Sequence, residues 1–236
     1  MNSSETLLRP ALSGISSMAT RQLLTELARI NAINGGTALA LEAVGGVDAA
    51  RRVQAGEPFD LVFLASDAMA KLIKSGHVLA DSRVDLVRSQ VAVAVKAGAQ
   101  LPSLATEAEV RQAVLSAASV GYSTGPSGSA LLALFERWGI MAEVQMKLRQ
   151  APAGVPVAMM VASGDVALGF QQRSEMIDAP GVQVVADLPA EIAIVTVFSG
   201  AVCSTTKRGD QARALLSAFA APIHAPIKLN HGMTAL

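Results

Sequence analysis

Residues 119–139 read SVGYSTGPSGSALLALFERWG, and this stretch is the most informative unit of the chain. A short run of β-prone residues gives way to Ser, Thr, Gly and Pro, and then to an amphipathic helix. The hydroxyl groups of the loop belong to Ser123, Thr124, Ser127 and Ser129. Together with backbone amides at the positive end of the helix dipole, they predict an anion-binding helix start. An ordinary capped helix gives the same pattern.

Outward from this unit, helical and extended segments alternate along the whole chain. Apolar periodicity predicts strands over residues 6–14 and 38–44, with a helix over residues 16–33 between them. Thr106 and Glu109 fit a capping box at the start of a further helix. This alternation indicates an α/β fold with mostly parallel sheets.

The composition argues against several classes of function. The chain carries 19 basic and 19 acidic side chains, so it lacks the net charge that draws a protein to nucleic acid. Aromatic residues make up only 3%, which leaves few stacking platforms for single strands. No uninterrupted apolar run is long enough to span a membrane. We therefore expect no nucleic-acid partner and no membrane insertion.

Residues with metal-binding or nucleophilic chemistry are few. The single cysteine, Cys203, lies in an apolar run where a buried and unreactive thiol is expected. The histidines, His77, His224 and His231, show no metal-ligand spacing with acids or cysteine. Neither a catalytic-triad order nor a phosphate-binding P-loop is recognisable. The sequence predicts no metal site and no cofactor.

The first residues, MNSSETLLRPALSG, lack the basic start and the long apolar core of a secretory signal. As written, the chain is expected in the cytoplasm. If the chain is instead a processed mature form, a periplasmic location is expected. Only an exported form would have a transporter permease as its partner.

Three segments of the chain resemble those of the molybdate-type solute-binding proteins, which have the class II periplasmic-binding-protein fold. Residues 49–87, AARRVQAGEPFDLVFLASDAMAKLIKSGHVLADSRVDLV, are similar to the family's helix, "AG-x-P-x-D" turn, buried strand and "ADSRVDLL"-like ending. Residues 125–140 are similar to its "PAG" loop and following helix, and residues 164–170 match its "G-x-A-x-x-G" strand. The resemblance covers nearly the whole chain.

The resemblance implies two α/β lobes, each a mostly parallel sheet flanked by helices, with a ligand cleft between them. Lobe one would comprise residues 1–85 and 195–236, and lobe two residues 86–194. Such a cleft is a usual place for a small ligand, and hinge closure is the usual response.

In the resembled family, backbone amides and neutral hydroxyls at helix starts hold the anion. The matching positions, with two that the loop pattern adds, are Ser16, Ser17, Gly45, Gly46, Ser123, Ser127, Gly128, Gly154 or Val155, and Gln172. Gly46 stands where the family usually has a serine, and Gln172 where a tyrosine often stands. Both departures remove hydroxyl donors that a tetrahedral oxometallate would use.

Two functions follow from this resemblance. The first is capture of a small anion, either a molybdate- or tungstate-like oxyanion or a polycarboxylate, as in transporter-associated binding proteins. The second is an isomerase of an unsaturated di- or tricarboxylate, similar to the aconitate-isomerase group, which requires a general acid or base. Glu42 and Tyr122 are the candidates for that role. An exposed strand-end carboxylate and a buried ring with a hydrogen-bonded tip are the simpler interpretations of these two residues.

Overall fold

The computed structural model describes residues 11–152 and 154–236, and ten strands lie in these ranges. The strands are β1 (Leu12–Ser17), β2 (Leu39–Val44), β3 (Leu61–Ala65), β4 (Val84–Lys96), β5 (Val120–Tyr122), β6 (Leu148–Gln150), β7 (Leu168–Gln172), β8 (Val182–Asp187), β9 (Val195–Val202) and β10 (Met233–Ala235).

Helices connect most of these strands. The α-helices are α1 (Arg21–Ile33), α2 (Gly46–Gln54), α3 (Ser66–Lys74), α4 (Glu107–Ser116), α5 (Pro126–Arg137), α6 (Met141–Val144), α7 (Val157–Ser163), α8 (Arg173–Met176), α9 (Gly209–Ala220) and α10 (Ala225–Asn230). A 3₁₀ turn, Met18–Thr20, separates β1 from α1. Among the described residues, no helix combines the length and the apolar character that crossing a membrane requires.

Lobe one, as we use the term from here, is the sheet of β2, β1, β3, β9, the first half of β4 and β10, with its helices. β1 pairs in parallel with both β2 and β3. β3 is buried on both faces, as its continuous apolar sequence predicts. Leu61 and Phe63 contact the cluster with α1 and α9, whereas Val62 and Leu64 contact the cluster with α2 and α3.

Lobe two is the sheet of β8, the second half of β4, β7, β5 and β6, with its helices. β5 pairs in parallel with β6 and β7. α4 and α5 pack on one face of this sheet, and α7 and α8 pack on the other. Each sheet therefore has helices on both faces, which is the layered α/β arrangement.

The sheets combine parallel and antiparallel strand pairs, whereas the sequence predicts mostly parallel pairs. Among the described strands, parallel pairing is confined to β2, β1 and β3 in lobe one and to β6, β5 and β7 in lobe two. β4 and β9 pair antiparallel with their neighbours because they connect the sheets directly, without the helical crossover that parallel strands need. β4 leaves β9 after Gln90 and joins β7 at Val91. The predicted lobe limits, residues 1–85 with 195–236 and residues 86–194, stay a prediction.

Local predictions agree with the structure in most places. The strand predicted over residues 38–44 is β2. The capping box is confirmed, because the Thr106 hydroxyl accepts from the Glu109 amide at 3.2 Å and the Glu109 carboxylate accepts from the Thr106 amide at 3.2 Å.

The sequence prediction for the start of the first helix is wrong. Residues 6–10 of the first predicted strand lie outside the described residues, and β1 continues to Ser17. Ser16 and Ser17 therefore end a strand, although the sequence predicts that they open a helix. The reason is the parallel register, in which they pair with Ala43 and Val44 of β2.

Candidate functional site

The three parallel strands of lobe one end side by side, and each leads into a helical segment. β1 ends at Ser17, Gly45 connects β2 to α2, which begins at Gly46, and Ser66 begins α3. A Cβ atom built on Gly46 would lie 3.6 Å from the Cβ of Ser17. The carboxyl ends of such strands are the usual ligand-binding edge of an α/β sheet.

The hydroxyl groups of Ser16 and Ser17 are the most unusual feature of this edge. The two residues are 0% and 7% exposed. Neither hydroxyl oxygen has a hydrogen-bond partner in the described part of the chain. A buried hydroxyl without a partner costs free energy in the folded state. These two groups can therefore gain a hydrogen bond from a ligand without losing one.

The helix starts differ in their charge. α2 and α3 carry Asp48 and Asp67 in their first turns, whereas the first turns of α1 and α5 contain no acid. An aspartate in the first turn already occupies the positive end of the helix dipole. An anion is thus favoured at the start of α5 over the starts of α2 and α3.

In lobe two, the loop between β5 and α5 is held by its own contacts. The hydroxyl oxygens of Ser123 and Ser127 lie 3.1 Å apart and are hydrogen-bonded. Gly128 is buried, and a Cβ atom there would lie 1.9 Å from the carbonyl oxygen of Ser123. The chain therefore needs glycine at this position for packing, and the predicted contact of Gly128 with a ligand stays a prediction.

The loop between β6 and α7 forms the outer rim of this edge. Gly154 is exposed and has a φ of +78°, a value that favours glycine. The amide of Val155 donates to the carbonyl of Pro152 at 3.0 Å. In this arrangement the Val155 amide is therefore engaged within the loop.

Gln172 ends β7 and connects the two lobes. Its side-chain Nε2 donates to the Thr196 hydroxyl of β9 at 2.8 Å, and its Oε1 is buried without a partner among the described residues. A threonine hydroxyl can donate as well as accept. If the Gln172 amide is rotated by half a turn, its oxygen accepts from Thr196 and its NH₂ group becomes the donor without a partner. The next element, α8, packs against the 3₁₀ turn that follows Ser17, so Gln172 lies near the end of β1.

The two acid/base candidates lie in different lobes, Glu42 in β2 and Tyr122 in β5. Glu42 is exposed and binds the guanidinium of Arg52, with Arg52 Nη2 at 3.0 Å from its Oε2, and Arg52 also binds Glu57. The hydrogen bond from Arg52 lowers the pKa of Glu42. Tyr122 lies in the other lobe, where its carbonyl accepts from the Ala151 amide at 2.9 Å. Their catalytic roles stay predictions, and the ion pair makes Glu42 the weaker candidate.

Sequence reasoning missed a buried polar chain beside Gln172. The Gln171 side-chain oxygen accepts from the Ala158 amide at 3.2 Å, and the partly buried Glu175 follows in α8. Burial raises the pKa of Glu175 to about 7, against the hydrogen bond from Gln171 and the positive charge of Arg21. The sequence signal that could have revealed this group is the pair Gln171 and Gln172 at the end of a buried strand, followed by the acidic residue Glu175.

The remaining polar features lie away from these strand ends. Asp60, just before β3, binds Arg208 and accepts from the Ser13 amide at 2.7 Å at the opposite end of the lobe-one strands. Burial raises the pKa of the Cys203 thiol to about 12, and the charge of Asp60 adds to the effect, so this thiol is unreactive. Within residues 11–152 and 154–236, no group of three or more His, Cys, Asp or Glu could hold a metal ion.

Comparison with known proteins identifies the fold and the family. The periplasmic molybdate-binding protein of Azotobacter vinelandii superposes with a TM-score of 0.77 at 20% identity, over 94% of this chain and 98% of that one. The tungstate-binding protein of Desulfovibrio alaskensis gives 0.69 at 16% identity, over 97% and 99%. These likenesses confirm the two-lobed periplasmic-binding-protein fold that the sequence predicts.

Sequence similarity points in two directions. An aconitate isomerase from Pseudomonas sp. is 39% identical over 170 residues, which are 72% of this chain and 64% of that protein. The chain thus spans less than two thirds of that relative. The sequence pattern of the family described as bacterial extracellular solute-binding protein matches residues 12–234. The chain therefore belongs to the bacterial extracellular solute-binding protein family.

Proposed function

We propose that the protein binds a small anion, preferably a carboxylate, where the end of β1 meets lobe two. The observation that carries this proposal is the pair of buried, unpartnered hydroxyls of Ser16 and Ser17. We expect the acid-free start of α5, with Ser123 and Ser127, to supply further donors from lobe two. The anion is thus held by neutral hydroxyls and amides.

Two positions favour a carboxylate over a tetrahedral oxometallate. Gly46 provides no hydroxyl beside Ser17, and Gln172 provides an amide where a phenol would otherwise stand. The relative named aconitate isomerase supports the same choice, because aconitate is a tricarboxylate. The relatives named for molybdate and tungstate support the anionic charge of the ligand.

Calorimetry and thermal unfolding test the proposal with aconitate, citrate and itaconate against molybdate, tungstate and sulfate. A ligand at 100 times its Kd is expected to stabilise the protein by about 2.7 kcal/mol. Gly46→Ser, which restores a hydroxyl beside Ser17, is expected to shift the preference towards molybdate and tungstate. Gly209→Ser is the matched control, because a Cβ there meets nothing within 4 Å. Submicromolar tungstate binding with no carboxylate binding would overturn the preference.

A second candidate function is isomerisation of an unsaturated polycarboxylate. The observation that favours it is the 39% identity with the aconitate isomerase. A positioned base or acid contributes about 10²- to 10⁴-fold to such a reaction. Tyr122→Phe is expected to lower turnover by that factor. Glu42→Gln is expected to have less effect, because Arg52 holds this carboxylate on the surface.

Proton NMR in deuterated water follows this reaction through double-bond migration and deuterium incorporation. If aconitate binds but shows neither double-bond migration nor deuterium incorporation, the binding function remains and the isomerase function is excluded. Turnover that survives both substitutions would keep the isomerase and refute both residue assignments.

Partner proteins depend on the compartment. Delivery of the anion to a transporter permease belongs to an exported form of the chain, and the cytoplasmic location stays a prediction. Fractionation of the native host with an antibody to this chain tests both, because only a periplasmic chain can meet the outer face of a permease.

A further inference from the structure

Thr196 bonds a residue of the proposed site, although the proposed function gives it no role of its own. It is the second residue of β9 in lobe one, and its side chain is partly buried. Its hydroxyl oxygen accepts from Nε2 of Gln172, the last residue of β7 in lobe two, at 2.8 Å. The neighbouring strand β4 pairs with Thr196 through Ser89 and with Gln172 through Val91. The bond therefore joins the two lobes where β4 passes from one sheet to the other.

Strand register places Gln172 beside the loop between β5 and α5. β5 and β7 are parallel, and Tyr122 pairs with Phe170. β5 ends at this pair, whereas β7 continues for two more residues. The loop that contains Ser123 therefore begins next to the end of β7.

The side chain of Gln172 also lies on the face of the sheet that α5 covers. Consecutive side chains of a strand point to opposite faces. The Gln171 oxygen bonds the Ala158 amide at the start of α7, so Gln172 points away from α7. Phe170, which shares the face of Gln172, packs in one cluster with Leu131 of α5. The amide of Gln172 is thus on the side of the sheet where α5 starts.

The hydrogen bonds of this amide are incomplete. Gln172 is 4% exposed, and its Oε1 has no partner in the described chain. A buried oxygen without a donor costs free energy. A half-turn of the amide exchanges its oxygen and nitrogen, which are nearly equal in size, so the rotation needs no extra space. The oxygen then accepts from the Thr196 hydroxyl, and the NH₂ group becomes available to an acceptor outside the protein.

This exchange depends on the hydroxyl group of Thr196. A hydroxyl both donates and accepts, so it can bond either end of an amide. Valine has the same shape and can bond neither end. An ionised carboxylate oxygen accepts and cannot donate, so it requires the NH₂ group of Gln172 and the donating state of Thr196.

We propose that Thr196 is a positioning residue of the anion site, whose hydroxyl changes from acceptor to donor and so turns the Gln172 NH₂ group towards a bound carboxylate. The inference rests on the proposed anion site and names an ionised carboxylate oxygen as the group that Gln172 receives. With such a ligand in place, both ends of the buried amide have partners. Thr196 itself does not contact the ligand.

A double-mutant cycle measured by calorimetry with aconitate tests the inference. Thr196→Val removes the hydroxyl at constant shape and is expected to raise the Kd about fivefold, as for one lost neutral hydrogen bond. Gln172→Met removes the amide at similar length and is expected to weaken binding at least as much. Because Thr196 acts through the amide, Thr196→Val is expected to cause no further loss in the Gln172→Met protein.

Two controls and one spectroscopic measurement accompany the cycle. Thr196→Ser keeps a hydroxyl and is expected to retain the wild-type affinity. Thr234→Val makes the same change at an exposed position of another strand, β10, and is expected to leave affinity unchanged. In nitrogen-15 NMR spectra, the side-chain NH₂ signals of Gln172 are those that Gln172→Met removes. These signals are expected to shift when aconitate binds the wild type, because their hydrogen-bond acceptor changes.

An unchanged affinity of Thr196→Val, or an equal loss with and without Gln172, would overturn the inference and leave the proposed function intact. If neither aconitate nor another carboxylate binds the wild type, both fail. If Thr196→Val does not fold, the wild-type NMR measurement decides. Gln172 NH₂ signals that do not respond to saturating aconitate would refute the exchange of partners.

Discussion

The hydroxyl groups that follow the parallel strands of the two lobes are in different states. In lobe one, Ser16 and Ser17 are buried and their hydroxyls have no partners in the described chain. In lobe two, Ser123 and Ser127 are partly exposed and bond each other. In the site that we propose, lobe one is therefore prepared for a ligand at a cost to stability, whereas lobe two must exchange an internal hydrogen bond.

Two glycines show the same contrast. A Cβ on Gly46 in lobe one would meet only Ser17, at 3.6 Å, so glycine leaves room there for a ligand. A Cβ on Gly128 in lobe two would overlap the Ser123 carbonyl oxygen, so glycine there lets the helix touch the loop. Glycine in the first turn of a helix is thus predicted to serve binding in lobe one, whereas in lobe two it serves packing.

The largest effect is expected from Gly128→Val. The added side chain must displace the Ser123 carbonyl, which belongs to the backbone and cannot move like a flexible side chain. Overpacking of this kind typically costs about 1–3 kcal/mol, and a clash with backbone belongs at the upper end or beyond. Chemical denaturation measures the loss. The new side chain is also expected to abolish anion binding by shifting Ser123 and Ser127.

The matched control for this substitution is Gly125→Ala in the same loop. Gly125 has a φ of −83°, and a Cβ there would approach nothing closer than the Ser123 hydroxyl at 4.0 Å. We expect its stability to stay within about 0.5 kcal/mol of the wild type. A Gly128→Val protein as stable as this control would show that the loop is not held by the helix.

Much of this contrast could not be predicted from the sequence. The order of strands and helices follows from apolar periodicity, and the capping box of Thr106 and Glu109 follows from local spacing. The burial of Ser16 and Ser17 depends on a register with β2, which is a contact between distant segments. Glu42 likewise looks free in sequence, yet Arg52 binds it from the following helix. Local pattern predicts the elements, and only their packing decides which polar groups lack partners.

The next effect in size is expected from Ser16→Ala and Ser17→Ala. Each removes a buried hydroxyl without a partner, so each is expected to stabilise the ligand-free protein by about 1 kcal/mol. The same substitutions are expected to weaken anion binding by about 1 kcal/mol each, or roughly fivefold in Kd. Thermal unfolding with and without aconitate measures both changes in one series.

Ser89→Ala is the control for this pair. Its hydroxyl is also buried and unpartnered in the described chain, but Ser89 lies within β4, paired with β9 and β10, and not at a strand end. We expect this substitution to raise stability without changing affinity. If Ser16→Ala and Ser17→Ala behave like Ser89→Ala, the two hydroxyls do not contact the anion.

The smallest effect is expected from Ser127→Ala, and its size decides which lobe is the prepared one. The substitution breaks the bond between Ser123 and Ser127, but both residues are partly exposed, so water replaces the lost partner. Stability is therefore expected to fall by no more than about 0.5 kcal/mol. Affinity is expected to fall less than for Ser17→Ala, because the wild-type hydroxyl must first give up Ser123 before it can bind the anion. A Ser127→Ala protein that loses more affinity than Ser17→Ala would reverse the comparison and make the start of α5 the dominant contact.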